Sequence, residues 1–563
     1  MATAIEERNV WMVTNGNEGG ATAQPSDGWW SSGDMPMRQG CRVHPLIDGR
    51  AAMLSMCRAF LSARRYILLA GWDIRADLLM VRGEDAHVGA EGSPEQLELL
   101  ADLRAEGLDD DALALWDANR LRVADVLGFA ATRGVRVGVL LWDAFHMGSH
   151  LTNDPIREQK LLREAGVDCL LDDSSRHINH ITQSLHQKCA VVDGRVAFLG
   201  GVDLTAEATG DYDRWDTHTH MFNSPDRVSA RRPSAHPWHD VHTRIEGPIV
   251  ADVQLNIVQR WVEVASRHQV PDWPKFLPLT PPAPLAGGVP AQAARTVPPH
   301  TYGFAPAGVG TIREAYLRAL ARARSYIYIE NQYLWPEVFL GLDRLAWGGR
   351  SSDVEQLLQA LGAALQRGVH VTLVLPDHPN TGRRFTDGGI ARLAALAPPA
   401  VVSSLLKIFT LGNSEADASL PGGTFYRPVY VHAKVAIIDD LWWTAGSANL
   451  NSRGLQSDAE INVAVLDAAT ARELRLGLWR EHLHESYRDL ADPLSGLAQM
   501  HDCAARNLEH VRSGQLLEGH LLPYISAHEA QQFGVQIDPE HGWLDALPGG
   551  VGALPPEHAG RYI

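Results

Sequence analysis

Short, nearly continuous apolar runs alternate along this chain with stretches whose apolar residues recur every three or four positions. Arg64–Ile74 (RRYILLAGWDI) and Ser325–Trp335 (SYIYIENQYLW) each read as a helix end running into a buried strand. Arg133–Asp143 (RGVRVGVLLWD) and Arg367–Asp377 (RGVHVTLVLPD) each follow a helical pattern and read as a strand ending in aspartate. Such alternation predicts parallel or mixed sheets covered by helices. The same pieces occur in the same order in both halves, which predicts a duplicated unit. Between the halves, nine prolines from Pro271 to Pro299 argue against a central strand or a long helix and predict an extended connector. The expected organisation is therefore an arm over 1–45, a lobe over 46–269, a linker over 270–305, a second lobe over 306–490 and a C-terminal extension over 491–563.

Composition adds exclusions. With 563 residues, 45% apolar and 21% charged, the chain is long enough for two large cores, and disorder, collagen and coiled coil are excluded. A formal charge of −17 offers no electrostatic footprint for nucleic acid. The five cysteines show no CxxC spacing and predict neither a disulfide framework nor a zinc ribbon. The N-terminus has no secretory signal pattern, and no apolar run reaches the roughly 20 residues of a spanning helix, so a cytoplasmic or peripheral membrane protein is expected, with non-classical export left open. Of 50 cationic residues only Lys160, Lys188, Lys275, Lys407 and Lys434 are lysine. A position that keeps lysine in so arginine-rich a chain stands out.

Two of those five lysines sit in matching motifs. LHQKCAVVDGRVAFLGGVDL places His186, Lys188 and Asp193 as HxKxxxxD, followed by Gly201 and Asp203. VHAKVAIIDDLWWTAGSANLNSRG places His432, Lys434 and Asp439 at the same spacing, followed by Ser447 and Asn449. The flanking alternation predicts a strand with His and Lys on one face. An ammonium can hold an anionic oxygen while the neighbouring imidazole attacks or transfers a proton. A compact amine stands where a planar guanidinium would have been the compositional default.

These paired motifs resemble the phospholipase D superfamily. IYIENQYL (327–334), HPWHDVHTRIEGP (236–248), YVHAKVAIIDD (430–440), GSANLNSRG (446–454) and, more loosely, GDYDRWDT (210–217) resemble its eukaryotic-type branch. The similarity spans roughly residues 60–485; Ser452 and Gly454 depart from the branch's NDRS loop, and no room is left for C2, PX or PH domains. The resemblance implies a duplicated phospholipase D fold, two mixed-sheet lobes related by a pseudo-two-fold around one shared site. It implies hydrolysis of the distal phosphodiester of phosphatidylcholine or phosphatidylethanolamine through a phosphohistidine, with transphosphatidylation, His186 as nucleophile and His432 as acid and base. Lys188 and Lys434 would neutralise the phosphate. Asp203, Asn449, Ser447 and Gly201 are the expected substrate-binding positions. Asp193 and Asp439 complete the catalytic motifs and, at strand ends, are expected to brace the site. Each imidazole needs a carboxylate on its other nitrogen, and Asp216 and Glu460 are the candidates.

The remaining chemistry is read as follows. His218, His220, His236, His239 and His242 suggest zinc only through an HxH spacing, so no metal is expected; the chemistry is expected to need no cofactor, and dependence on calcium is left open. Glu330, Asn331 and Gln332 either line the pocket rim or cap a strand. The expected partner is a membrane phospholipid met by peripheral contact, and a single chain holding both half-sites predicts a monomer. A cardiolipin synthase-type phosphatidyl transferase is the alternative, and a nuclease of this fold a more distant one.

Overall fold

β-Branched and aromatic residues in unbroken runs build the strands, because a strand sandwiched between helices is buried on both faces. In the computed structural model, which describes residues 28–86, 92–143, 153–174, 183–206, 212–228, 235–270, 272–337, 349–377, 383–416, 423–484, 486–487, 490–530 and 542–544, they form two sheets of like order. The first contains β1 (Arg38–Ile47), β2 (Tyr66–Gly71), β3 (Arg136–Trp142), β4 (Asp168–Asp172), β5 (Cys189–Val192), β6 (Val196–Gly200) and, beyond the two-residue β7 (Trp238–His239), β8 (Val241–Glu246). Its spatial order is β4-β3-β2-β5-β6-β8-β1, with β4, β3 and β2 parallel and the rest antiparallel.

The second sheet contains β9 (Val289–Val297), β10 (Val309–Gly310), β11 (Tyr326–Asn331), β12 (His370–Val374), β13 (Leu406–Ala416), β14 (Thr424–Val431), β15 (Lys434–Ile438), β16 (Trp442–Gly446), β17 (Glu460–Leu466) and β18 (Leu521–Pro523). Its order β13-β12-β11-β15-β16-β17-β9 repeats the first strand for strand, parallel at the same two pairs. The fold is thus α/β with two mixed-sheet lobes, as the sequence implies. Helices Asp48–Leu61 and Val250–His268 in the first lobe, and Thr311–Arg322 and Ala468–His482 in the second, hold the same places in the order of elements.

Two expectations are corrected. The proline-rich linker contains β9, which pairs with β17 on one side and with β1 on the other, so it joins the two sheets rather than spanning a gap. The prolines crowd before Ala291, leaving AQAARTV free to donate along the ladder, and Pro290 falls where the β1 register shifts. The expected arm over 1–45 likewise ends in β1, a full strand with Cys41 and Val43 buried. Residues 1–27 of that arm lie outside the described residues. Ser31 and Asp34 dock it onto the second sheet: Ser31 Oγ donates to Gln292 Oε1 at 3.1 Å, and Asp34 pairs with the buried Arg295.

The five cysteines are all free and buried. Among the largest fully buried side chains are seven tryptophans, Trp116, Trp215, Trp238, Trp261, Trp442, Trp443 and Trp479. Among the described residues no single helix is long and apolar enough to cross a membrane.

Candidate active site

Each motif histidine lies just before its strand, in an extended segment that hydrogen-bonds to the other lobe. His186 N donates to Ala459 O at 3.0 Å, and Leu185 bridges in parallel to Ala459. In the mirror arrangement β14 pairs in parallel with β7, and His432 N donates to His239 O at 2.8 Å. The residue after each bridge is a buried carboxylate. As a result His186 Nδ1 lies 2.9 Å from Glu460 Oε1, and His432 Nδ1 lies 2.7 Å from Asp240 Oδ2. With Nδ1 held on both rings, Nε2 is the nitrogen left for chemistry.

Asp240 therefore replaces Asp216, which the sequence suggested for this place. Asp216 instead accepts from Arg227 Nη1 at 3.0 Å and from Trp238 N at 2.8 Å, and lies 3.3 Å from His220 Nδ1. Gly201 makes room for the observed pair: a Cβ there would meet Asp240 Oδ1 at 1.9 Å. Its N–H donates to Val241 O at 2.9 Å, so Gly201 closes the sheet rather than offering that donor to a substrate. In the second lobe Ser447 fills the matching position, and its hydroxyl donates to Glu460 Oε2 at 2.5 Å. Ser447 thus steadies a carboxylate, which corrects its expected place on the substrate.

The lysines lie beside their histidines. Lys188 Nζ donates to His186 O at 2.7 Å and lies 3.1 Å from Asp203 Oδ2. Lys434 Nζ donates to His432 O, and to Gln332 Oε1 at 3.1 Å, an oxygen that also accepts from Asn449 Nδ2 at 3.1 Å. Gln332 is therefore part of the site, while Glu330 and Asn331 act behind it: Asn331 Oδ1 accepts from Leu450 N at 3.0 Å and so fixes the loop carrying Asn449. Gly454 keeps that loop close, since a Cβ there would meet Asn449 O at 2.3 Å.

Asp193 and Asp439, counted with the catalytic motifs and expected to brace, stand at the opposite ends of their strands from the lysines and, among the described residues, make bracing contacts only. Asp193 sits in a left-handed turn at φ 55° and accepts from the backbone N–H groups of Arg64, Arg65 and Tyr66 at 2.9, 2.7 and 2.9 Å. Asp439, at φ 56°, accepts from Arg324, Ser325 and Tyr326, each at 2.8 Å.

Burial and the lysines set the electrostatics. Burial, Lys188 and Lys434 hold His186 well below its ordinary value, and burial, Lys434 and Arg214 do the same to His432. Burial pushes Glu460 well up and Asp240 up as well. Burial and the nearby Lys188 bring Lys434 down to about 7, although Asp240 opposes them. This setting favours two neutral imidazoles, and a bound anion would favour their protonation.

Behind the histidines lies a second buried cluster. His239 Nδ1 lies 2.7 Å from Glu481 Oε1 and 3.1 Å from Asp48 Oδ1, and His220 Nε2 lies 3.1 Å from the same Glu481 oxygen. One donor atom each from Asp48, His220, His239 and Glu481 fall within 4.8 Å of one another, and among the described residues Asp48 Oδ2 has no hydrogen-bond partner, so the cluster has the donor set to hold a divalent cation. Neighbouring His239 Nε2 bonds Glu330 Oε2 at 2.8 Å, and His482 Nε2 bonds Glu330 Oε1 at 2.9 Å. The sequence reading missed Asp48 and Glu481 here and overcounted histidines: His218 is exposed, His236 stacks on Tyr212, and His242 is buried apart from this cluster.

The family model described as "Phospholipase D" matches residues 59–274, and that described as "Cardiolipin synthase, PLD-like domain" matches residues 316–480, together well over half of the chain. "Phospholipase D alpha 1" of Oryza sativa is 26% identical over 91% of this chain and 75% of its own length. The protein of the same name from Arabidopsis thaliana is 25% identical over 86% of this chain and 73% of its own. The one from Nicotiana tabacum is 25% identical over 76% of this chain, which spans 63% of that relative. Among solved structures, phosphatidylserine synthase of Haemophilus influenzae superposes with a TM-score of 0.44 at 11% identity, covering 77% of this chain and 84% of that one. With both motif pairs intact and both halves matched, the chain is an enzyme of the phospholipase D superfamily.

Proposed function

We propose that this enzyme cleaves the distal phosphodiester of a glycerophospholipid, giving phosphatidic acid and the free head group. The crossed histidine–carboxylate pairs, each flanked by a lysine, carry this reading. A phosphodiester entering between Lys188 and Lys434 brings the negative charge that lets one imidazole hold a proton. His186 Nε2 attacks phosphorus as the bond from phosphorus to the head-group oxygen breaks, and His432 passes its proton to that oxygen. His432, now neutral, takes a proton from water as the water oxygen bonds phosphorus and the N–P bond of the phosphohistidine breaks. An alcohol in place of water gives transphosphatidylation by the same step. Asp240 and Glu460 keep both rings in the required tautomer, and Asn449 supplies a further donor for a phosphate oxygen.

The test is to incubate the purified protein with phosphatidylcholine or phosphatidylethanolamine vesicles, with and without ethanol, and identify the lipid products. Phosphatidic acid alone, turning to phosphatidylethanol when ethanol is present, is the expected result; no product with any head group would sink the proposal. The match of the second lobe to a cardiolipin synthase domain favours one variant of the same chemistry, in which the acceptor is phosphatidylglycerol. Cardiolipin formed from phosphatidylglycerol faster than phosphatidic acid is released would select it.

A further inference from the structure

The two half-sites match in geometry but not in charge. Asp203 and Asn449 hold the same position after their motifs, as do Trp72 and Gln332 after β2 and β11. Lys188 therefore meets a carboxylate, Asp203 Oδ2 at 3.1 Å, and the face of Trp72 with its ring centre 5.5 Å away. Lys434 meets a neutral amide oxygen, Gln332 Oε1 at 3.1 Å, and Asn449 turns its amide toward that same oxygen. Lys188, Asp203 and Lys434 are each at most 3% exposed, so bulk water screens little of this difference. Asp203 is anchored as well, its Oδ1 accepting from Asp73 N at 3.3 Å. Burial, and after it the neighbouring Asp203, push the Asp73 carboxyl up to about 6.

We infer that Asp203 sets the charge of the site so that it binds a phosphodiester, which carries one negative charge, in preference to a phosphomonoester, which carries two. The inference rests on the proposed phosphodiester chemistry. With Lys188 balanced by Asp203, a single-charged phosphate finds its complement largely in Lys434, whose protonated form the bound anion favours. The second charge of a monoester faces the Asp203 carboxylate. A monoester is also what hydrolysis leaves behind, so Asp203 speeds its departure and limits inhibition by product. Nothing in the backbone demands an aspartate here, since the other lobe builds the same turn with Asn449. Asp203 acts through Lys188 and is a positioning and specificity residue, and its expected place as a direct ligand of substrate is revised accordingly.

The test compares methyl phosphate with dimethyl phosphate by titration calorimetry on the full chain, at about pH 8, where a monoester with its second pKa near 6 is a dianion. Asp203→Asn should tighten the Kd of methyl phosphate by about tenfold or more and that of dimethyl phosphate by less than about threefold. Gln332→Glu, which puts a carboxylate beside the other lysine, should weaken methyl phosphate by about tenfold with the same selectivity. If Asp203→Asn does not fold, Gln332→Glu still decides. Equal shifts for both ligands, no shift for methyl phosphate, or no binding of either to the wild-type protein would overturn the inference. Because binding is read rather than turnover, failure to cleave any lipid would count against the proposed substrate and leave this result standing.

Discussion

His186 and Glu460 belong to different lobes, yet their side chains meet at 2.9 Å, and Asp240 and His432 repeat the contact in reverse at 2.7 Å. Each lobe thus fixes the ring that the other contributes. Removing the carboxylate while keeping its shape should cost catalysis more than binding, because the tautomer is lost and the pocket is not. Glu460→Gln and Asp240→Asn should each lower kcat by roughly 100-fold or more with KM changed little. Asp216→Asn should lower thermal stability and leave kcat of the folded protein within about tenfold. Steady-state kinetics beside a melting curve decide it; a kcat collapse in Asp216→Asn with unchanged Tm would restore that residue to the reaction.

Lys188 is 3% exposed, with its ammonium between His186 O and Asp203. A guanidinium keeps the charge but is broader and planar, and it cannot sit in that space without moving one partner. Lys188→Arg is expected to lose activity by about 100-fold or more while melting near the wild type. Wild-type turnover would mean that charge alone is what the position supplies.

Asp439 holds three backbone N–H groups at the far end of its strand. Asp439→Ala strands those donors and puts alanine at positive φ, which together should cost ~3 kcal/mol of stability. Activity per folded molecule should change less than about threefold, since the residue touches no reacting group. Denaturant melts and active-site titration separate the two; a large loss of kcat at full stability would contradict the bracing role.

His220 links the buried cluster to pH. Burial works against its charge, yet Asp48, Asp216 and Glu481 outweigh that and raise it to about 10 from 6.5. A group raised on folding stabilises fully below its unfolded pKa and loses that contribution as pH climbs through the folded one. After chelator treatment, Tm should therefore fall by several degrees as pH rises from about 6.5 to about 10, and His220→Gln should start lower and vary less. A flat profile in the chelator-treated wild type would show that His220 is not held as a cation.

What the sequence carried best was whatever repeats at fixed spacing. The motif histidines and lysines stand at equal offsets in both halves, so their convergence could be read without coordinates. Asp240 escaped because the segment between β6 and β8 is much longer than that between β16 and β17. Counting residues from the motif led to Asp216; matching strands in order would have paired Asp240 with Glu460, each at the start of the strand that follows the motif hairpin. The strand β9 escaped for a different reason. Its proline-free core lies inside a proline-rich stretch, and composition averaged over the stretch hid seven residues of regular backbone. Trp72 looked like an ordinary strand end and Gln332 like either a pocket rim or a cap, and only contact with the lysines reveals the inequality of the half-sites.

The crossed pairing also bears on the protein's synthesis. Chains emerge N-terminus first at about 5–20 residues per second, so the first lobe can fold well before the second is made. That nascent lobe holds His186 and Lys188 but lacks Glu460, while Asp240 waits for a histidine not yet translated. An incomplete chain thereby lacks both oriented imidazoles. Both histidine–carboxylate pairs are complete only when the two lobes meet.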